Sequence, residues 1–248
     1  MQIFDDLEVE LDNLDRILGG LDEASWTAPS AAAGWSVADV VLHLAQTDET
    51  VVETIAAGPA GALGSVGGVD ETTSVDEAMD AWVSREREDP ARVYARWQAA
   101  RTAALEALRR ADPDRPVTWV AAPLRPAALA TTRLAEHWAH GLDIVEPLAI
   151  PFPDTDRLRH VAWLAHRTLP YAFAVAGEQA PTVRCELIAP DGVTVWEYGP
   201  AGADLVISGP AGAFCRVAAR RLAPEASGLA TSGPDAAKTL ALLRTYAL

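Results

Sequence analysis

Apolar residues recur at helical spacing through the first 148 residues. At the N-terminus they return every three or four positions, with carboxylates on the opposite face and Gly19-Gly20 behind them; the positions are Ile3, Leu7, Leu11, Leu14, Ile17 and Leu18. This spacing predicts an amphipathic helix that ends at the glycines. Further helical stretches, joined by loops, are predicted over residues 36–57, 75–89, 91–111 and 125–146. Long helices joined in this way predict a helix bundle over residues 1–148.

The connections between these helices carry turn and cap residues. Ser36 precedes the second helical stretch, with Asp39 three residues later and Gly58 after the last turn, which is the pattern of a capped helix. The Gly-rich segment 59–74 follows and is predicted to form a loop. Because loops often carry binding residues, we expect this loop to border a site.

The pattern changes after the Pro-rich segment 146–156. One more helical stretch is followed by three segments in which apolar and polar residues alternate as in strands: residues 182–189, 193–199 and 203–209. Pro190, Asp191 and Gly192 give a strong turn signal between the first two. Two helical stretches close the chain. The predicted fold class is therefore α plus α+β: a helix bundle over residues 1–148, followed by a small α+β domain with antiparallel strands over residues 156–248.

Composition and charge narrow the range of partners. The 248 residues carry a net charge of −15, whereas nucleic-acid binding needs clustered Lys and Arg, so we expect a small-molecule partner and no nucleic acid. No apolar run reaches the roughly 20 residues of a membrane span, and the acidic N-terminus differs from a signal peptide, so we expect no membrane partner and a cytoplasmic location. The two cysteines, Cys185 and Cys215, lie in apolar segments and are expected to be buried thiols. The composition fits a monomer or a homodimer.

The segment RLAEHWAHGLDI, residues 133–144, combines a carboxylate with two imidazoles. Positions four apart lie on one face of a helix, so Glu136 and His140 can face the same ion, whereas His137 points about 100° away from Glu136. In the second helical stretch His43 lies among apolar neighbours, where an imidazole needs a partner. Two histidines and a glutamate would give the three protein ligands of an open zinc site.

Other interpretations of these residues stay open. A core histidine with a backbone or carboxylate partner is commoner than a metal ligand. His137 and His140 are an alternative ligand pair, although the order Glu-His-x-x-His differs from the His-Glu-x-x-His of zinc proteases. Asp143 is either a hydrogen-bond acceptor for His140 or a polar residue near a helix end.

Two stretches together resemble the actinobacterial mycothiol-dependent maleylpyruvate isomerase family. GWSVADVVLHLAQTDE, residues 34–49, combines Gly-Trp, a helix-opening Ser-Val-Ala-Asp-Val and a histidine, and RLAEHWAHGLDI supplies Glu-x-x-x-His. The resemblance implies a DinB-like four-helix bundle in which His43, Glu136 and His140 hold a divalent metal, with zinc as the expected ion. It also implies mycothiol as a co-substrate.

The resemblance extends into the C-terminal part. Residues 189–240 are similar to the C-terminal region of uncharacterised members of that family, which resembles a sterol-carrier-protein-like α+β domain. In the characterised isomerase an arginine of the C-terminal domain reaches the active site. The resemblance makes Arg216, in a basic cluster with Arg220 and Arg221, the candidate here, although the local sequence does not match closely. The alternative is a helix-surface arginine paired with a carboxylate.

These features predict a metal-dependent enzyme that uses an external thiol. A bound divalent ion lowers the pKa of a thiol and so provides the nucleophilic thiolate at neutral pH. The sequence places no cysteine near the expected ligands, and the resemblance suggests mycothiol as the source of the thiol. We expect S-transfer to a small electrophile, or its isomerisation by addition and elimination of the thiol.

Two alternatives belong to other classes of function. The same ligands would also serve a metal-bound water in a hydrolase, with Asp48 or Glu49, a turn and a half beyond His43, as the general base. A non-catalytic carrier or interaction protein would instead have an apolar cavity. The candidates to line such a cavity are Trp26, Trp35, Trp138 and Trp163.

Overall fold

The computed structural model describes residues 2–57, 74–119 and 122–246. Contacts divide the chain into two compact units, Met1–Pro151 and Phe152–Tyr246. Helices form the first unit, and helices with a small sheet form the second, so the predicted class of α followed by α+β is confirmed. Among the described helices, none combines the length and hydropathy needed to cross a membrane. Nearly all of the Gly-rich segment 59–74 lies outside the described residues, and its assignment as a loop at a site stays a prediction.

The first unit is built from helices. In chain order they are α1 (Gln2–Leu18), α2 (Glu23–Thr27), α3 (Val37–Ala57), α4 (Val75–Arg85), α5 (Pro90–Arg110) and α6 (Pro126–Val145). All except α2 correspond to helical stretches predicted from the sequence. Helix α2 has only five residues, which is too short to show a helical period.

Local sequence sets the beginnings of these helices. Ser36 Oγ accepts a hydrogen bond from Asp39 N, and Asp39 Oδ2 accepts one from Ser36 N, so the predicted cap of α3 is confirmed. Helix α4 begins with the same reciprocal arrangement between Ser74 and Glu77. Caps of this kind satisfy N–H groups of the first turn and contribute about 1 kcal/mol each.

The four long helices α1, α3, α5 and α6 pack against one another. Helix α1 buries the predicted apolar stripe, with Leu7, Leu14 and Leu18 almost fully enclosed. Helix α3 contacts both α5 and α6. Several of its buried residues are polar, which is unusual for a core helix and requires partners on the helices that face it.

Ion pairs also join α5 to its neighbours. Arg101 lies 2.9 Å from Asp12 and 2.9 Å from Asp15 on α1. Arg96 forms a two-point contact with Glu49 on α3, at 2.8 and 2.7 Å. These pairs are partly exposed, so each contributes at most about 1 kcal/mol.

The second unit combines a sheet with helices. Its elements are α7 (Leu158–Val175), β1 (Val183–Ile188), β2 (Val195–Tyr198), β3 (Leu205–Pro210), α8 (Ala211–Ala218), β4 (Ala230–Ser232) and α9 (Ala236–Leu242). The strands lie in the order β2-β1-β3-β4. Helix α7 packs against α8 and β2, and α8 packs against β1 and β3.

The strand directions differ in one respect from the sequence prediction. The pairs β1–β2 and β3–β4 are antiparallel as expected, but β1 and β3 are parallel. At the predicted turn, Asp191 Oδ1 accepts hydrogen bonds from the backbone N–H groups of Val193 and Thr194, and Gly192 has a φ of 74°. This turn pairs β2 with β1. Strand β3 joins the other side of β1, where it runs in the same direction, so the sheet is mixed.

Both cysteines lie in the second unit and are buried and free, as predicted. Burial raises the pKa of Cys185 to about 12. Burial also raises the pKa of Cys215 well above its usual value. Neither thiol is therefore ionised at neutral pH.

Candidate metal centre

Helices α3 and α6 bring three potential metal ligands together. His43 lies on α3, and Glu136 and His140 lie one turn apart on α6. Each offers one ligand atom, and the two imidazole nitrogens and the carboxylate oxygen all lie within 4.8 Å of one another. The donor set of two nitrogens and one oxygen is that of open, three-residue zinc sites.

The setting of His43 suits a metal ligand. The residue is only 7% exposed, and its Nδ1 has no hydrogen-bond partner among the described residues. A buried polar atom without a partner is costly in a folded protein and calls for an explanation. Burial, and then the proximity of His140, lower the pKa of His43 to about 3. The imidazole is therefore neutral at pH 7, which is the form that binds metals.

Asp143 orients His140. His140 Nδ1 lies 2.9 Å from Asp143 Oδ2, while its Nε2 lies 3.5 Å from Glu136 Oε2. Of the two interpretations of Asp143, the structure therefore shows the one in which it accepts a hydrogen bond from His140. Such a carboxylate fixes the ring and leaves the other nitrogen to face an ion.

Charges within the cluster favour binding of a cation. Burial raises the pKa of Glu136, but the hydrogen bond and charge of His140 outweigh burial and hold it at about 2. Burial lowers the pKa of His140, but the hydrogen bonds to Asp143 and Glu136 outweigh burial and raise it. A proton held by His140 between two carboxylates is one that a metal ion would displace. The residues thus fit a divalent metal.

The indole ring of Trp35 packs beside the two ligand histidines. Its ring centroid lies 5.2 Å from that of His43 and 6.5 Å from that of His140, and its Nε1 donates a hydrogen bond to Asp80 of α4. The same tryptophan lines a cleft of about 440 Å³, together with Thr27, Pro29, Ser30, Gly34, Ser36, Asp39 and Arg87. The side chains of His140 and Glu136 are 13% and 26% exposed, so solvent reaches the ligand cluster from their side.

His137 does not belong to this cluster. Its side chain is fully buried, and Nδ1 donates to the backbone oxygen of Arg133 at 2.9 Å. Its Nε2 accepts a hydrogen bond from Trp97 Nε1 and lies 3.2 Å from Asp48 Oδ2. Both ring nitrogens therefore have protein partners, and the alternative ligand pair of His137 and His140 is not formed.

The two candidate general bases are held in ion pairs. Asp48 is 2% exposed, and its Oδ1 accepts a hydrogen bond from Arg133 Nε at 2.9 Å. Burial raises the pKa of Asp48, but its interactions with His137 and Arg133 outweigh burial and lower it. Glu49 is bound at both carboxylate oxygens by Arg96. An enclosed carboxylate with a lowered pKa is poorly suited to accept a proton from water, so the structure argues against Asp48 as a base.

The remaining candidates lie on elements of both units. Arg216 lies on α8 of the second unit, where its guanidinium pairs with Asp154 at 2.9 Å; this is the paired state that the alternative interpretation expects. Trp26 packs on Tyr94 at 5.5 Å between ring centroids, and Trp163 is 41% exposed on α7 of the second unit. Among the candidate tryptophans, Trp35 has ring contacts with the ligand histidines.

The sequence analysis did not single out Arg133, although the structure buries it against α3. It is the only Arg or Lys between Pro126 and Val145, and its side chain is 3% exposed. Its place as the one Arg or Lys of this helix, four positions before His137, was the available signal. The burial of the guanidinium against α3 depends on the packing of two helices and is not visible in the sequence.

Comparison with known proteins agrees with this architecture. A family model described as the mycothiol maleylpyruvate isomerase N-terminal domain matches residues 7–145. Uncharacterized proteins from two strains of Mycobacterium tuberculosis are each 32% identical over 251 residues, which cover 98% of this chain and 94% of theirs. The similarity to these relatives therefore extends over both units of this chain.

Crystal structures of a mycothiol-dependent maleylpyruvate isomerase share the fold. A histidine-to-alanine mutant gives a TM-score of 0.63 and a second structure gives 0.62, each at 16% identity over 93% of this chain and 92% of theirs. Because the family model spans more than half of the sequence, the chain belongs to the mycothiol maleylpyruvate isomerase N-terminal domain family.

Proposed function

We propose that this protein is a metal-dependent enzyme that uses an external low-molecular-weight thiol, mycothiol, for S-transfer to a small electrophile or for its isomerisation. One observation carries the proposal: His43, Glu136 and His140 place three ligand atoms within 4.8 Å of one another in a chain of this family. The related crystal structures are of an enzyme described as mycothiol-dependent, which supports the choice of thiol.

The chain's own residues prepare the site for a cation. His43, Glu136 and His140 would hold a divalent ion, for which zinc is the best candidate, and the bound ion would favour the thiolate form of a thiol. Asp143 keeps the His140 ring in one orientation. Trp35 covers the His43 side of the cluster and limits access of water there.

The reacting thiol has to come from outside the chain. Cys185 and Cys215 are buried, and burial raises the pKa of each, so neither provides a thiolate. The exposed side of the cluster, at Glu136, offers an entry for a small thiol. The cleft beside Trp35 has a volume suited to part of a small molecule.

We further propose that both reactants are small molecules and that the protein acts in the cytoplasm as a monomer or a homodimer. Arg216 is proposed as the residue of the C-terminal domain that contacts the substrate. Since its guanidinium is paired with Asp154, binding of an anionic group there would have to share or replace this partner.

The hydrolase alternative has less support. It needs a general base near a metal-bound water, and the two residues considered for this role, Asp48 and Glu49, are both held by arginines. The carrier alternative would need neither a metal nor a thiol, and the same experiment separates it from the proposal.

The decisive experiment measures metal and thiol on the same protein. Protein purified without a metal-affinity tag is analysed for metal by mass spectrometry and then titrated with mycothiol in a calorimeter. We expect about one equivalent of zinc and thiol binding that disappears in His140→Ala. Glu136→Gln should lose the metal, whereas Glu146→Gln, which changes an exposed carboxylate just beyond α6, should keep it.

Two results would contradict the proposal. Full metal content in each of His43→Ala, Glu136→Gln and His140→Ala would show that these residues are not the ligands. Protein loaded with zinc that neither binds mycothiol nor conjugates it to any electrophile would favour the carrier or the hydrolase.

A further inference from the structure

Three polar side chains lie buried where α3 faces α6. The side chains of Asp48, Arg133 and His137 are 2%, 3% and 0% exposed. A buried ion pair seldom stabilises a fold more than apolar residues of similar size would, because both charges lose their hydration. Its presence in the core beside the candidate metal centre therefore calls for a role other than stability.

The guanidinium of Arg133 forms hydrogen bonds with two consecutive residues of α3. Its Nε donates to Asp48 Oδ1 at 2.9 Å, and its Nη2 donates to Thr47 Oγ1 at 2.8 Å. Thr47 Oγ1 in turn donates to the backbone oxygen of His43 at 2.8 Å. A continuous chain of hydrogen bonds thus leads from the side chain of Arg133 to the backbone of a candidate ligand.

The backbone of α6 is hydrogen-bonded to the same cluster of polar side chains. His137 Nδ1 donates to the backbone oxygen of Arg133, and His137 Nε2 accepts a hydrogen bond from Trp97 of α5. The His137 imidazole therefore links the turn of α6 that carries Arg133 to α5. This turn also leads into Glu136, three residues after Arg133.

The contacts lie one turn from the candidate ligands on both helices. Thr47 follows His43 by four residues, and Glu136 follows Arg133 by three, so the spacings are about 6 Å and about 4.5 Å along the helix axes. A planar guanidinium that is bound at two points allows little sliding of one helix against the other. A slip of one residue would move His43 by about 1.5 Å relative to Glu136 and His140.

We propose that Arg133, together with Asp48 and His137, is a positioning device that fixes the register of α3 against α6 and so sets the separation of the three metal ligands. Arg133 is a positioning residue that acts through His43 and Glu136, and Asp48 balances its charge. The inference rests on the proposed metal site and deepens it.

A double-mutant cycle tests this role. The variants are Asp48→Leu, Arg133→Met and the double variant, which removes both charges and leaves no unpaired one. The affinity of each folded protein for zinc is measured by competition with a chelator, and unfolding is followed separately. We expect the double variant to stay folded but to bind zinc about 10- to 100-fold more weakly than the wild type, as is usual when a group that orients metal ligands is lost.

A matched control comes from another ion pair of α3, the one between Glu49 and Arg96. The double variant Glu49→Leu/Arg96→Met removes a two-point contact that joins α3 to α5 and does not involve α6. It should keep wild-type affinity for zinc. Arg133→Lys, which keeps the charge but lacks the planar two-point geometry of the guanidinium, should give an intermediate affinity.

The cobalt(II)-loaded protein gives a second readout if the double variant fails to fold. The visible absorption of cobalt reports its coordination geometry, so Arg133→Lys and Asp48→Asn should shift the spectrum, while Glu49→Gln should not. A wild-type affinity for zinc in the double variant, or unchanged cobalt spectra in both conservative variants, would overturn the inference and leave the metal site intact. A wild-type protein that binds no zinc would overturn the proposed function and this inference together.

Discussion

His140 and Asp143 are joined by a hydrogen bond of 2.9 Å within the last two turns of α6. The carboxylate of Asp143 is 3% exposed, so water does not compete for this contact. We predict that Asp143→Asn weakens zinc binding about 10- to 100-fold, because an amide holds the imidazole less firmly and lowers its basicity. Chelator competition measures the change, and Glu146→Gln is the control; equal affinities in the two variants would contradict the role of Asp143.

Trp35 should matter for the thiol more than for the metal. It contacts both histidine rings and lines the neighbouring cleft. In Trp35→Ala we expect retained zinc and about fivefold weaker mycothiol binding by calorimetry, since the loss of an aromatic contact is worth about 1 kcal/mol. Trp163→Ala, which removes a partly exposed tryptophan of the second unit, should bind the thiol normally. Unchanged binding in Trp35→Ala would exclude this cleft as the thiol site.

The cap of α3 makes stability depend on pH. Burial raises the pKa of Asp39, but the hydrogen bonds from Arg87 and Ser36 outweigh burial and lower it below its usual value. The folded pKa is thus below the unfolded value of about 3.9, so the carboxylate stabilises the fold above about pH 4 and this contribution is lost as the pH falls through the folded pKa.

We therefore expect Asp39→Asn to lower the free energy of unfolding by about 1 kcal/mol at pH 7, and the difference from wild type to shrink as the pH approaches 2. Urea denaturation at a series of pH values measures this. Arg87→Gln should reproduce part of the effect, because it removes the charged partner of Asp39. A difference that stays constant with pH would show that the charge of Asp39 is unimportant.

The cysteines should be dispensable for the reaction. In the double variant Cys185→Ala/Cys215→Ala we expect unchanged zinc content and mycothiol binding, with some loss of stability from the space left in the core. In the native wild type, a thiol-specific reagent should modify neither cysteine until the second unit unfolds. Loss of thiol chemistry in a folded double variant would mean that the nucleophile belongs to the chain.

The sequence predicted those features that depend on local spacing. The stripe of α1 and the cap at Ser36 and Asp39 are local patterns, and the helical spacing of Glu136 and His140 places them on one face before any packing is known. His43 is different, because it comes from another helix. Its assignment needed the family resemblance as well as the apolar residues around it.

The features that the sequence did not predict depend on distant contacts. The parallel pairing of β1 with β3 joins strands that are not consecutive, and no turn signal encodes it. The sequence made Asp48 a candidate general base near His43. In the structure its carboxylate is hydrogen-bonded to Arg133, which lies 85 positions away along the chain. Whether a carboxylate acts as a base or as the partner of a buried cation depends on such packing.

The placement of β1 and β3 at the centre of the sheet also bears on solubility. These two strands have six residues each, whereas the outer strands β2 and β4 have only four and three. A sheet whose borders are short exposes few unpaired backbone groups, and those groups are the ones on which another chain could add a strand. The mixed topology thus encloses the longer, more apolar strands and leaves little template for aggregation.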